Sequence, residues 1–155
     1  LHGKQRRHTL AYMPQQEPRP AGFTVRERIA LGALDDASVD DAIEALGLHQ
    51  LANRPVATLS GGEARRCTVA ATIAQKSRCL IADEPTNHLD PEWTAKTGRI
   101  LARLARESET ALLLVLHDTQ LAHAIADRII TINPDGPAPD PTEPAKPIKE
   151  PNPIP

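Results

Sequence analysis

Aromatic residues are nearly absent: Trp93, Tyr12 and Phe23 are the only three in 155 residues. Such scarcity argues against the base-stacking platforms that single-strand binders use. Excess charge of either sign is lacking too, with 18 Lys and Arg against 20 Asp and Glu and a net charge of −2. No nucleic-acid partner and no acidic membrane surface is therefore expected. The two cysteines, Cys67 and Cys79, fit neither a disulfide framework nor a zinc pattern. Both read as small buried hydrophobes, consistent with a reducing compartment. His2, His8, His49, His88 and His123 show no metal-ligand spacing. The longest apolar run, Ala111 to Leu116, falls far short of the roughly 20 residues a membrane helix needs. No secretory leader is visible, so membrane work, if any, is expected to pass through a partner.

What is present organises into alternating kinds of chain. Leu10-Ala11-Tyr12-Met13 reads as a short strand ended by Pro14, and the proline-bearing stretch from Gln15 to Gly22 as a loop. Thr24-Val25-Arg26-Glu27 has capping-box spacing and predicts a helix to about Leu31. Ser38 to Leu46 predicts another, with Ser38 as cap and Gly47 as stop. Three unbroken apolar runs follow: Cys79 to Ala82, Ala111 to Leu116, and Arg128 to Ile132. Such runs suit strands covered on both faces of a parallel sheet. Asp90-Pro91 opens a helix with an acid cap and proline in the first position, and its Trp93, Ile100, Leu101 and Leu104 share one face. A shorter helix is predicted over about Thr119 to Ala126. Strand and helix alternate, which is the pattern of an α/β domain. Beyond Asn133 nine of 22 residues are proline, so residues 134–155 read as an extended, unpacked tail.

Two segments carry chemistry. In Leu59-Ser60-Gly61-Gly62-Glu63, Ser60 and Glu63 form a further capping box, on a helix predicted to about Ala74. The glycines admit close approach to the backbone, and free N–H groups at a helix start receive phosphate. By itself this is more often a plain helix cap. The second segment runs from Cys79 through Asp83-Glu84 to Asn87-His88-Leu89-Asp90. Two acids at the end of a parallel strand stand where α/β ligands bind. There Asp83 suits assistance to Mg²⁺, and Glu84 suits orienting or deprotonating a water.

Together these residues resemble the ATPase domain of ABC transporters. Leu59 to Glu63 resembles the signature motif, Cys79 to Glu84 the Walker B strand with its glutamate, and Asn87 to Asp90 the D-loop. His117 resembles the switch histidine, and Gln15, in Tyr12-Met13-Pro14-Gln15, the glutamine of the Q-loop. Five motifs in the family's order span Leu10 to about Asn133. The resemblance implies an α/β, partial P-loop NTPase fold, mainly parallel sheet with flanking helices and a helical subdomain over about 24–75, all within residues 1–133. Implied catalytic residues are Glu84, His117 and Gln15, with Asp83 and Gln15 toward metal. Nucleotide would be bound by Ser60, Gly61, Gly62, Glu63 and Asp90. ATP and Mg²⁺ are the implied cofactors. The implied partners are a second ABC ATPase domain, identical or not, and transmembrane permease subunits, placing the chain on the cytoplasmic face of a membrane.

The block Pro18 to Gly32, with Leu116-His117-Asp118 and Ala126-Asp127-Arg128, resembles ATPases of metal-chelate importers, which serve siderophores, haem and cobalamin. Soluble ABC proteins of translation or DNA repair share the Asn87 to Asp90 phrase and form the alternative, as does a non-catalytic fragment. One departure matters: the family's Gly-rich phosphate loop ending in Gly-Lys-Ser/Thr is not found. Gly3-Lys4 is followed by Gln5. Missing with the loop are the first strands and the aromatic that stacks on adenine. With Leu1 rather than Met first, the chain reads as truncated, and by itself it is expected not to hydrolyse ATP.

Overall fold

The computed structural model describes residues 9–16, 21–108 and 110–132. Gly3-Lys4, part of the proline-bearing loop and the proline-rich stretch from 134 lie outside them. The chain divides into two compact units, one ending at His117 and one beginning at Asp118.

In the first unit three strands form one parallel sheet in the order β1 (Leu10–Met13), β2 (Cys79–Asp83), β3 (Ala111–Val115). Their register aligns Ala11 with Leu80 and Leu112, and Met13 with Ala82 and Leu114. Four helices accompany them: α1 (Val25–Ala30), α2 (Asp36–Ala45), α3 (Gly61–Ile73) and α4 (Pro91–Glu107). Residues alternate between the faces of a strand, and the two faces differ here. Ala11, Met13, Leu80 and Ala82 are buried with Val69 and Ala70 of α3 and Leu101 of α4 in the core. On the opposite face Leu10, Tyr12, Leu113 and Val115 are exposed. The expectation of cover on both faces therefore holds for one only. The helices packed on the core all meet the same side, and no described helix of this unit covers the other. Cys67 is buried as expected, whereas Cys79, on the open face, is only half-buried.

Helix α3 is the hub. It buries residues around most of its circumference, including Cys67, Val69, Ala70 and Ala71, because it packs against α1, α2 and β1 at once. Helix α1 starts at a complete capping box between Thr24 and Glu27. For α2 the cap is Asp35, not Ser38: the Asp35 carboxylate accepts from the Ser38 N–H at 2.8 Å and from its hydroxyl at 2.5 Å. The longer helix buries Val39, Ala42 and Ile43. It stops at Gly47, φ +62°, where the N–H of Leu48 donates to Ile43 and that of Gly47 to Glu44. A side chain at Gly47 would also strike Trp93, 2.7 Å from its Cη2. The guanidinium of Arg66 donates to the Leu46 and Gly47 carbonyls and lies 4.1 Å from the Trp93 ring centre, with the Lys96 ammonium at 4.3 Å. Burial holds the pKa of Arg66 below the usual guanidinium value.

The second unit contains α5 (Thr119–Ile125), capped by Asp118, whose carboxylate accepts from the Leu121 N–H. The strand expected over Arg128 to Ile132 does not form. An apolar run becomes a strand only beside a partner that takes its backbone groups. None pairs with it among the described residues, and Ile130 and Ile132 are exposed. No helix among the described residues is long and apolar enough to cross a membrane.

Candidate nucleotide site

The carboxyl edge of the sheet brings most of the candidate residues together. Strand β2 ends at Asp83, and the chain turns sharply at Glu84, which has φ +49°. A non-glycine residue in the left-handed region costs energy and persists only where its neighbours hold it. Three contacts hold this one. The Glu84 N–H donates to Val115 at the end of β3, 2.9 Å away, and its carbonyl accepts from the Asn87 N–H at 3.0 Å and from the Arg65 guanidinium. The side chain is largely enclosed. Asn87 Nδ2 donates to Oε2 at 2.9 Å, and His117 Nε2 lies 2.5 Å from Oε1. The His117 side chain is 86% exposed against 12% for Glu84, so the histidine can leave without disturbing the core.

Arg65 reaches further. Its Nη1 donates to the carbonyls of Pro14 (3.2 Å) and Gln15 (3.0 Å), and its Nη2 to those of Asp83 (2.7 Å) and Glu84. One buried cation from α3 thus caps the ends of β1 and β2. The Gln15 side chain itself is exposed.

At the start of α3 the box is complete. The Ser60 hydroxyl accepts from the Glu63 N–H at 3.3 Å, and the Glu63 carboxylate accepts from the Ser60 N–H at 2.8 Å. These bonds hold the Glu63 carboxyl below its ordinary pKa, the Ser60 backbone first and its hydroxyl second, with Arg54 and Arg66 adding charge. The N–H groups of Gly61 and Gly62 fall in the first turn, where the helix itself offers no acceptor. The glycines differ in use. Gly61 is exposed, with only His88 near, whereas a side chain at Gly62 would stand 3.2 Å from the His88 carbonyl oxygen. Gly62 is therefore needed for contact with the 86–90 loop of the same chain. That loop continues through His88, φ +65°, to Asp90, whose carboxylate accepts from the Trp93 N–H at 2.9 Å and caps α4.

The sequence reading had not singled out Arg65 or the Asn87–Glu84 contact. Arg65 in sequence is one more charge on a helix, and only the fold reveals its burial. Asn87, three residues past Glu84 in a turn, carried a weak signal of its own.

A parallel strand ending in paired acids, beside a capped helix start and a histidine just past the next strand, is the arrangement of part of a P-loop ATPase fold. The chain belongs to the ABC transporter family, whose model matches residues 2–87; ABC ATPases hydrolyse ATP. It is 34% identical over 136 residues to the achromobactin transport ATP-binding protein of Dickeya dadantii, covering 80% of this chain and 51% of that one. It is 39% identical over 132 residues to the hemin import ATP-binding protein of Rhodococcus jostii, with 79% and 45% covered. Relatives of similar identity import phosphonates and zinc. Among solved structures it resembles the dimeric post-hydrolysis state of an ATP-binding cassette bound to ADP and Pi. There the TM-score is 0.73 and the identity 27%, with 82% of this chain and 60% of that chain covered. The chain spans about half the length of the curated relatives it matches.

Proposed function

We propose that the chain is the ATP-hydrolysing part of an ABC transporter, working as a dimer of such domains and powering import of a metal chelate. The observation that carries the catalytic reading is Glu84: a carboxylate at the end of a parallel strand, held on one oxygen by Asn87 and on the other by His117. Two donors fix its direction, and one of them is exposed enough to withdraw. When His117 leaves, Oε1 becomes free to accept a proton from water, which is the task of a general base. Gln15, at the end of β1, would help orient that water. Its carbonyl is tied through Arg65 to the same turn as Glu84.

The donor set beside it fits Mg²⁺. Asp83 offers hard oxygen at the sheet edge, Gln15 can add an amide oxygen, and no group of three or more metal-binding side chains occurs among the described residues. Mg²⁺ is usually held by one or two carboxylates together with substrate phosphates, not by a full protein cage. When bound it would offset negative charge on the phosphates. Ser60, Gly61 and Gly62 would present their helix start to a nucleotide held by the partner domain, with Glu63 closing the box and Asp90 fixing the loop beside it. The exposure of Gly61 supports that reading.

The cargo assignment leans on the Pro18 to Gly32 block and on relatives for achromobactin and hemin. Permease subunits on the cytoplasmic face of a membrane are the matching partners.

Glu84→Gln tests the site. In the full-length polypeptide encoded by the gene that carries this sequence, turnover should fall about 10²–10⁴-fold while ATP binding persists. Residues 1–155 alone should show negligible turnover. Activity in Glu84→Gln within a few-fold of the parent would sink the assignment.

A further inference from the structure

Arg65 lies outside every motif that points to nucleotide, yet its side chain donates to four backbone carbonyls. Four carbonyls from two strand ends converge on one guanidinium, which is only 7% exposed. Burying a cation is costly unless its donors are matched. Its two terminal nitrogens donate to the backbone carbonyls of Pro14, Gln15, Asp83 and Glu84. A planar fork with several donors can reach four acceptors at two strand ends, and an ammonium cannot. The position matters as much as the number. Glu84 sits at φ +49°, a conformation that reverts unless held. Its carbonyl is held by Arg65 together with the Asn87 N–H, and the neighbouring Asp83 carbonyl is held by the same Arg65 nitrogen.

We infer that Arg65 is a positioning residue: it fixes the left-handed turn at Glu84, aims that carboxylate, and ties it to Gln15 and to helix α3. The consequence is mechanical. Helix α3 begins at Ser60 and Gly61, and Arg65 lies one turn beyond them. A displacement of the helix start, by anything bound there, is delivered through a rigid side chain to the base and to the end of β1. These four contacts of Arg65 are all to backbone carbonyls, so what they govern is geometry. This inference rests on Glu84 being the base, and its test separates the two ideas.

Arg65→Lys and Arg65→Met are compared with the parent in the full-length polypeptide, measuring steady-state ATP turnover and amide hydrogen exchange. Misplacement of a catalytic group by about 1 Å can cost on the order of 100-fold. In Arg65→Lys, kcat should fall on the order of 10–100-fold with KM changed by no more than about threefold. Amide exchange should quicken at residues 15, 16, 84 and 86–88 and stay slow in the core of α3. In a Glu84→Gln background, Arg65→Lys should lower turnover no further, since both changes act on one group. Unchanged kcat in Arg65→Lys overturns the inference, and so does exchange that quickens evenly throughout the unit. Should Arg65→Met fail to fold, Arg65→Lys still decides. Should Glu84→Gln turn over like the parent, the reading of Glu84 fails instead, and the exchange pattern alone then judges what Arg65 holds.

Discussion

The two faces of the sheet are built from the same kind of residue and meet different surroundings. Ala11, Met13, Leu80 and Ala82 lie under α3 and α4, while Leu10, Tyr12, Leu113 and Val115, on the other face of the same sheet, are exposed. Apolar side chains on a strand state a demand for cover; they do not supply it. On one face the demand is met by helices whose own apolar stripes are in this chain. The open face also carries large apolar side chains, so apolar character alone does not decide which face is covered.

That comparison can be broken by substitution. The largest effect should come from the covered face: Met13→Ala, at a site 1% exposed, should cost about 2–5 kcal/mol in denaturant unfolding. A cost below about 1 kcal/mol would mean that the face is looser than its burial implies.

A middle-sized effect belongs to the start of the helix that covers this face. Glu63→Ala removes half of the Ser60 box and should cost about 0.3–1.5 kcal/mol at neutral pH. The folded state depresses the Glu63 pKa below 4.5. Its contribution is therefore complete above that value and lost as pH falls through the lowered one, where the unfolded chain binds the proton first. The melting-temperature gap between parent and variant should shrink below about pH 4.5; a gap that grows on acidification would contradict the sign. The smallest effect should be at the open face, where Leu113→Thr, at a residue 57% exposed, should change stability by less than about 0.5 kcal/mol. A larger loss would show that Leu113 is covered in solution.

Where sequence and structure agree, a short-range cause was at work. β1 was legible to the residue, and β2 and β3 to within one, because each is an apolar run closed by a proline or a polar residue. The Ser60 box and the Asp90-Pro91 start were legible because capping acts over three residues. The Asp35 cap was not, since Asp35 and Ser38 both fit a cap and only the folded chain has the Asp35 carboxylate accepting from the Ser38 N–H. Glu84 and His117 could be paired only through motif resemblance; their 2.5 Å contact depends on β2 and β3 being neighbours. The Arg65 contacts join residues about 50 apart in the chain, beyond any local pattern. Arg128 to Ile132 failed as a strand for the reason the open face stays open: partners are not encoded in the run itself.

The chain has one tryptophan, and its surroundings make it an optical gauge. Trp93 is three residues past Asp90, packed over Gly47 at the end of α2, with one cation from α3 and one from α4 near its ring. Indole emission responds to nearby charge, so its colour and intensity report the spacing of those three helices. Sliding α3 against α4 would separate Arg66 from the ring while Lys96, on the same helix as Trp93, would travel with it. The light emitted by this single side chain therefore registers relative movement of the two helices without any added label.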